Sequence, residues 1–252
     1  MNLAAVLKNL KAAGTAQTRK TYARHQIPEP MFGVSFAHLN KLAKQIETDQ
    51  KLAEQLWDTG NFDCRSLALM IADPETIKSS TLQKWGKETD NHGLAGMVGN
   101  FVAQTPHAWK LASRWCEAKS ELLSTAGWST VAVLALHEDH ADHEHAPDEP
   151  CEEDAPLDEL FATCLAAIEK NIDAAPNYTR HAMNGALISI GGRNVQLRQL
   201  ALAAAKRIGP VEVDHGDTSC KTPDAQAYIK KMWDKKAEAM AKGKKPRKRS
   251  VC

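Results

Sequence analysis

Residues 32–74, FGVSFAHLNKLAKQIETDQKLAEQLWDTGNFDCRSLALMIADP, constrain the fold more than any other stretch. Leu39, Leu42, Ala43 and Ile46 recur at helical spacing, and so do Leu52, Ala53, Leu56 and Trp57. After the break DTGN, the same period resumes at Leu67, Ala68, Met70 and Ile71. Three short amphipathic helices in succession each offer one apolar stripe, and a stripe is buried only against a neighbour's stripe. A stack of antiparallel helices satisfies all three.

The rest of the chain continues that pattern. Helices are expected over residues 2–13, 17–25, 80–88, 94–104, 106–118, 121–136, 157–171, 178–190 and 194–208. Pro28 and Pro30 stop the second, and Asn194 and Gly209 bound the last. Asp73-Pro74, Thr105-Pro106 and Thr222-Pro223 each read as a cap followed by Pro at the first helical position. Apart from Val211-Glu212-Val213, almost nothing alternates with period two. The expected class is all-α, an α-solenoid of HEAT-like antiparallel helix pairs, with an irregular helical bundle as the alternative. Residues 1–225 are expected to form the repeat domain, and 226–252 a C-terminal helix and basic tail.

Charge is balanced overall, Lys+Arg 32 against Asp+Glu 31, so affinity for a polyanion has to come from how the charges are distributed. Residues 137–160 hold eleven acids and no Lys or Arg, which predicts a solvated loop at 137–156. Residues 226–252 hold ten Lys or Arg against two acids and end in KGKKPRKRSVC. Six cysteines are scattered without a Cys-x-x-Cys pair, and no apolar run approaches the roughly 20 residues that span a bilayer. A reduced, cytoplasmic, monomeric protein without membrane contact is expected.

The stretch at 32–74 resembles the alkylation-repair DNA glycosylases of the AlkD type. The matching pieces are Phe32-Gly33-Val34, then Leu39-Asn40-Lys41-Leu42-Ala43-Lys44, then Leu56-Trp57 and Arg65-Ser66-Leu67-Ala68. Their order and spacing carry the likeness, which extends over most of residues 20–208. The resemblance implies helical repeats whose basic concave face tracks duplex DNA. It also implies excision of positively charged N3- and N7-alkylated purines without a metal. Departure of a cationic purine leaves a sugar with oxocarbenium character, which a carboxylate and aromatic faces stabilise. The family's site uses a Trp and an Asp on one helix, an Arg on the next repeat and a second Trp further on. Here Asn91 takes the place of the Trp and Ala95 that of the Asp, in Asn91-His92-Gly93-Leu94-Ala95. The Arg position falls at Thr125-Ala126-Gly127 and the second Trp near Gly185. A shift of one turn would bring Asp90 or Trp128 nearby. Lost or altered chemistry is therefore expected, with no cofactor and no metal.

The candidate DNA-binding residues are Asn91, His92, Arg114, Trp128, Arg180, His181, Asn184, Arg193 and Arg198. Arg180, His181 and Asn184 share one helix face, and each phosphate neutralised by such a face adds to a salt-dependent affinity. The alternative is an ordinary solvated helix face. The partner implied is double-stranded DNA, damaged or branched. His137, His140, His143 and His145 with Asp139, Asp142 and Cys151 match no rigid metal site. Asp214-His215-Gly216-Asp217-Thr218-Ser219-Cys220 is dense in chemical groups, but reads as a turn at Gly216 leading into a helix. Trp57, Trp85, Trp109 and Trp115 read as core, with Trp128 open as a lesion-facing residue. Three readings stay open: a retained glycosylase, a non-catalytic reader of bent or branched DNA, and a protein-interaction scaffold.

Overall fold

The computed structural model describes residues 1–136 and 155–242. Among them are thirteen α-helices and no strand. They are α1 (Leu3–Ala13), α2 (Ala16–Arg24), α3 (Phe36–Ile46), α4 (Gln50–Trp57), α5 (Phe62–Ile71), α6 (Ser79–Glu88) and α7 (His92–Val102). Then come α8 (Ala108–Cys116), α9 (Glu121–Leu136), α10 (Ala155–Asn171), α11 (Asn177–Gly191), α12 (Val195–Ile208) and α13 (Ala225–Ala241). A 3-10 turn, Ile172–Ala174, joins α10 to α11. The acidic His-rich loop and the basic tail lie outside the described residues.

Short polar side chains start most of these helices. Asn2, Thr15, Ser35, Asp49, Asn61, Asn91, Asn194 and Asp224 each accept a hydrogen bond from a first-turn amide. The three cap-and-proline signals behave differently from expectation. Asp73 accepts from the Glu75 amide and the Thr76 hydroxyl, closing one turn, and α6 begins only at Ser79. Thr105 accepts from the His107 amide in a similar turn, and α8 begins at Ala108. At the third, Asp224 rather than Thr222 caps α13, through the Ala227 amide at 2.7 Å. An Asx or Thr turn uses the same acceptor as a helix cap, so the signal alone does not fix whether the helix continues.

The chain forms two compact units. The first comprises Met1–Gly127 with His215–Cys220, and the second Trp128–Asp214 with Lys221–Cys252. In the first, α5 is the central rod: it packs on α1, α3, α4 and α7, and Phe62, Cys64, Leu67, Ala68 and Ile71 are all buried. Such all-round burial suits a helix surrounded by neighbours. Burial pushes the Cys64 thiol up to about 11. In the second unit α11 plays that part, packing on α10, α12, α13 and the 3-10 turn.

Candidate nucleic-acid interface

The residues that carry the family resemblance hold the first unit together. Asp63, fully buried at the start of α5, accepts from the amides of Phe32 (2.6 Å), Gly33 (3.0 Å) and Val34 (2.8 Å). Gly33 sits at φ +78°, and a Cβ there would stand 2.8 Å from the Thr15 carbonyl oxygen. The Tyr22 hydroxyl donates to the Val34 carbonyl at 2.5 Å. Burial, with the Asp63 charge second, pushes the Tyr22 phenol up to about 12. The Leu-Trp and Arg-Ser-Leu-Ala pieces meet in a second cluster. Trp57 stacks on Trp85 with ring centres 4.6 Å apart, and its indole donates to Glu88. The Arg65 guanidinium lies 5.1 Å from the Trp57 ring and donates to the Glu88 carbonyl and to Asp90. These motifs fix the packing of α4, α5 and α6.

The positions aligned with the family's chemical groups are equally occupied by structure. Asn91 is buried, accepts from the Leu94 amide and donates to Asp90, so its side chain is spent on starting α7. Ala95 is fully buried. Thr125 donates to the Glu121 carbonyl within its own helix. A Cβ on Gly127 would stand 2.5 Å from the Cys116 amide nitrogen, so α9 touches the end of α8 there and has no room for a side chain. Gly185 is the exception: nothing lies within 4 Å of an added Cβ.

The candidate binding residues divide by what their polar atoms already do. In the first unit, His92 opens α7 and is half-buried, and Arg114 is exposed on α8. In the second, Arg180 donates to the carbonyls of Asp173 (3.2 Å), Ala175 (2.9 Å) and Glu212 (3.1 Å). Asn184, 1% exposed, donates to the Pro223 carbonyl, while its Oδ1 has no hydrogen-bond partner. Asn177, one turn before Arg180, exchanges two bonds with the Asp214 backbone, both at 2.8 Å. Asn177, Arg180 and Asn184 thus form one polar stripe of α11 that holds the backbone at Asp214, Glu212 and Pro223. Half-buried His181 lies beside it.

Arg193 is paired with Asp158 at 3.2 Å and lies 5.0 Å from the Phe161 ring. Arg198 lies 4.9 Å from the Trp233 ring, and Lys236 stands at the same distance from it. Trp233 donates to the Gly191 carbonyl, anchoring α13 on α11. Trp128 is 3% exposed, a core side chain rather than an open face. Asn177 is not among the sequence candidates. The spacing of 177, 180 and 184 carries a signal for it, whereas nothing local identifies the segment it holds.

A rod-on-rod helical fold of this kind, with motif residues spent on packing, defines a repeat scaffold. The comparisons with known proteins give its family. Residues 6–230 match the family described as DNA alkylation repair enzyme, and the chain belongs to that family. The uncharacterized proteins Lin0241 of Listeria innocua and Lmo0209 of Listeria monocytogenes are 27% and 28% identical over 229 residues. Each alignment covers 88% of this chain and 93% of the relative. A solved structure, described as a new family of proteins related to the HEAT-like repeat DNA glycosylases with affinity for branched DNA structures, matches with a TM-score of 0.79. It is 28% identical, and the match covers 100% of this chain and 99% of that one. The fold is accordingly the HEAT-like repeat helical fold. No helix among the described residues is long and apolar enough to cross a membrane.

Proposed function

We propose that this chain is a DNA-binding member of the alkylation repair family that holds branched DNA without releasing an alkylated base. The observation that carries the reading is the set of positions aligned with the family's chemical groups. Ala95 is a buried methyl, Thr125 is bonded to the Glu121 carbonyl of its own helix and Gly185 is bare. Breaking the bond to a cationic purine needs a group that meets the positive charge growing on the sugar. None of these three side chains can do so. The affinity for branched DNA of the solved relative supports the ligand class.

Among the sequence candidates, Arg114, His181 and Arg198 are those we assign to DNA. Arg180 and Arg193 hold the fold through carbonyl and carboxylate oxygens. Asn91 and Asn184 do so through their amides. The test is a titration of linear, nicked and four-way DNA with the full chain at two salt concentrations. Tighter binding of the four-way substrate, weakening as salt rises, is the expected result. Equal affinity for all three, or binding indifferent to salt, overturns it.

A further inference from the structure

In the first unit, a groove of about 180 Å³ lies where α6 meets α8 and the start of α9, lined by Gln83, Lys87, Arg114, Trp115 and Leu123. A wider depression of about 410 Å³ shares Gln83 and Lys87 and reaches Ser80, Lys84 and Glu88. Gly86 sets the closeness of its walls. A Cβ there would stand 2.8 Å from Leu123 Cδ1 and 3.0 Å from the Trp115 ring, so the α6 backbone rests directly on both. Any side chain at 86 would spread the walls.

The charges at this groove are unbalanced. Lys87 and Arg114 come from different helices and are both exposed. Among the described residues neither has a carboxylate partner, whereas Lys84 pairs with Asp58, Arg65 with Asp90 and Arg207 with Glu169. The acid bordering the wider depression, Glu88, accepts from the Trp57 indole at 2.8 Å. Two like charges converging on a shared surface, without a counter-ion, repel each other until an anion sits between them. The groove adjoins the wider, open depression through Gln83 and Lys87, so the surface suits one anionic ridge of a larger molecule better than an enclosed small one.

We propose that this groove is a phosphodiester contact, in which Lys87 and Arg114 each neutralise a phosphate of a DNA backbone. The assignment rests on the DNA-binding reading and adds a place for the contact in the first unit. The test measures DNA affinity of the full chain against salt concentration for three proteins: wild type, the double variant Lys87→Gln with Arg114→Gln, and Lys84→Gln as a matched removal of one charge already paired. Two lost phosphate contacts flatten the plot of log affinity against log salt by about 1.8. Between 50 and 200 mM salt the wild type then loses about tenfold more affinity than the double variant. Lys84→Gln leaves the slope within about 0.5 of wild type. The proposal is overturned if the double variant keeps the wild-type slope, or if Lys84→Gln flattens the plot as much per charge. Wild-type protein that binds no DNA at 50 mM salt overturns the DNA reading itself, an outcome visible before any variant is compared.

Discussion

Arg180→Ala separates two roles that a helical arginine can play. Three of the five guanidinium N–H groups donate to the carbonyls of Asp173, Ala175 and Glu212, at 3.2, 2.9 and 3.1 Å. A hydrogen bond from a charged donor contributes about 1.5–3 kcal/mol when desolvated, and less where one partner reaches water. Arg180 is half-buried, so its removal costs about 2–4 kcal/mol, not the sum of three full bonds. In a chain of this size that lowers the Tm by roughly 4–16 °C. Lysine at 180 brings one compact ammonium in place of a fork and recovers only part of the loss. Thermal or urea unfolding measures the first quantity, and the salt dependence of DNA binding measures the second. The expected outcome is a large stability loss with an unchanged salt slope. A slope lowered by about one, with stability within about 0.5 kcal/mol of wild type, would show that Arg180 touches phosphate, and the clamp assignment would fail.

Asp63→Asn keeps the shape but turns one acceptor into an N–H₂ group facing a backbone donor, so unfolding should show a loss of about 2–3 kcal/mol; a loss below about 0.5 kcal/mol contradicts the anchoring role. The Tyr22 phenol, raised to about 12, supplies stability that is complete below about pH 10 and disappears as pH rises through about 12. Absorbance at 295 nm should show a late-titrating phenol that is missing in Tyr22→Phe; an identical titration in both proteins counts against it. Alkylation at pH 8 should label exposed Cys220 and spare Cys64 and Cys164, whose thiols burial raises to about 11; equal labelling of the three refutes that burial. Ending the chain at Lys242 should weaken all DNA binding by a similar factor while keeping the preference for four-way DNA. If binding vanishes entirely, residues 1–242 do not hold the binding surface.

Much of the fold is written locally, and most of the candidate interface is not. Leu39, Leu42, Leu52 and Leu56 announce their helices because a helix buries residues three and four apart, and Asn194 caps where expected. The Thr105-Pro106 signal predicts a helix from 106, but the structure closes one turn there and starts α8 at Ala108, since one turn and a whole helix begin with the same bond. Arg180 and Asn184 read as a phosphate-facing stripe because their helix face is polar. Their partners, Glu212 and Pro223, lie more than thirty residues downstream in an irregular segment whose path no periodicity encodes. Arg114 gave the opposite problem: one exposed arginine looks like any other until Lys87, from another helix, stands at the same groove.

The central claim is binding without base release, and one substrate tests both halves. A four-way DNA junction carrying a single 7-methylguanine is incubated with excess full-length protein, and complex formation and alkali-sensitive strand breaks are read from the same sample. The account predicts a salt-sensitive complex, tighter than with linear duplex of the same sequence, and no breaks above the protein-free control. Breaks that accumulate with time and protein concentration, or a junction bound no better than the linear duplex, contradict it.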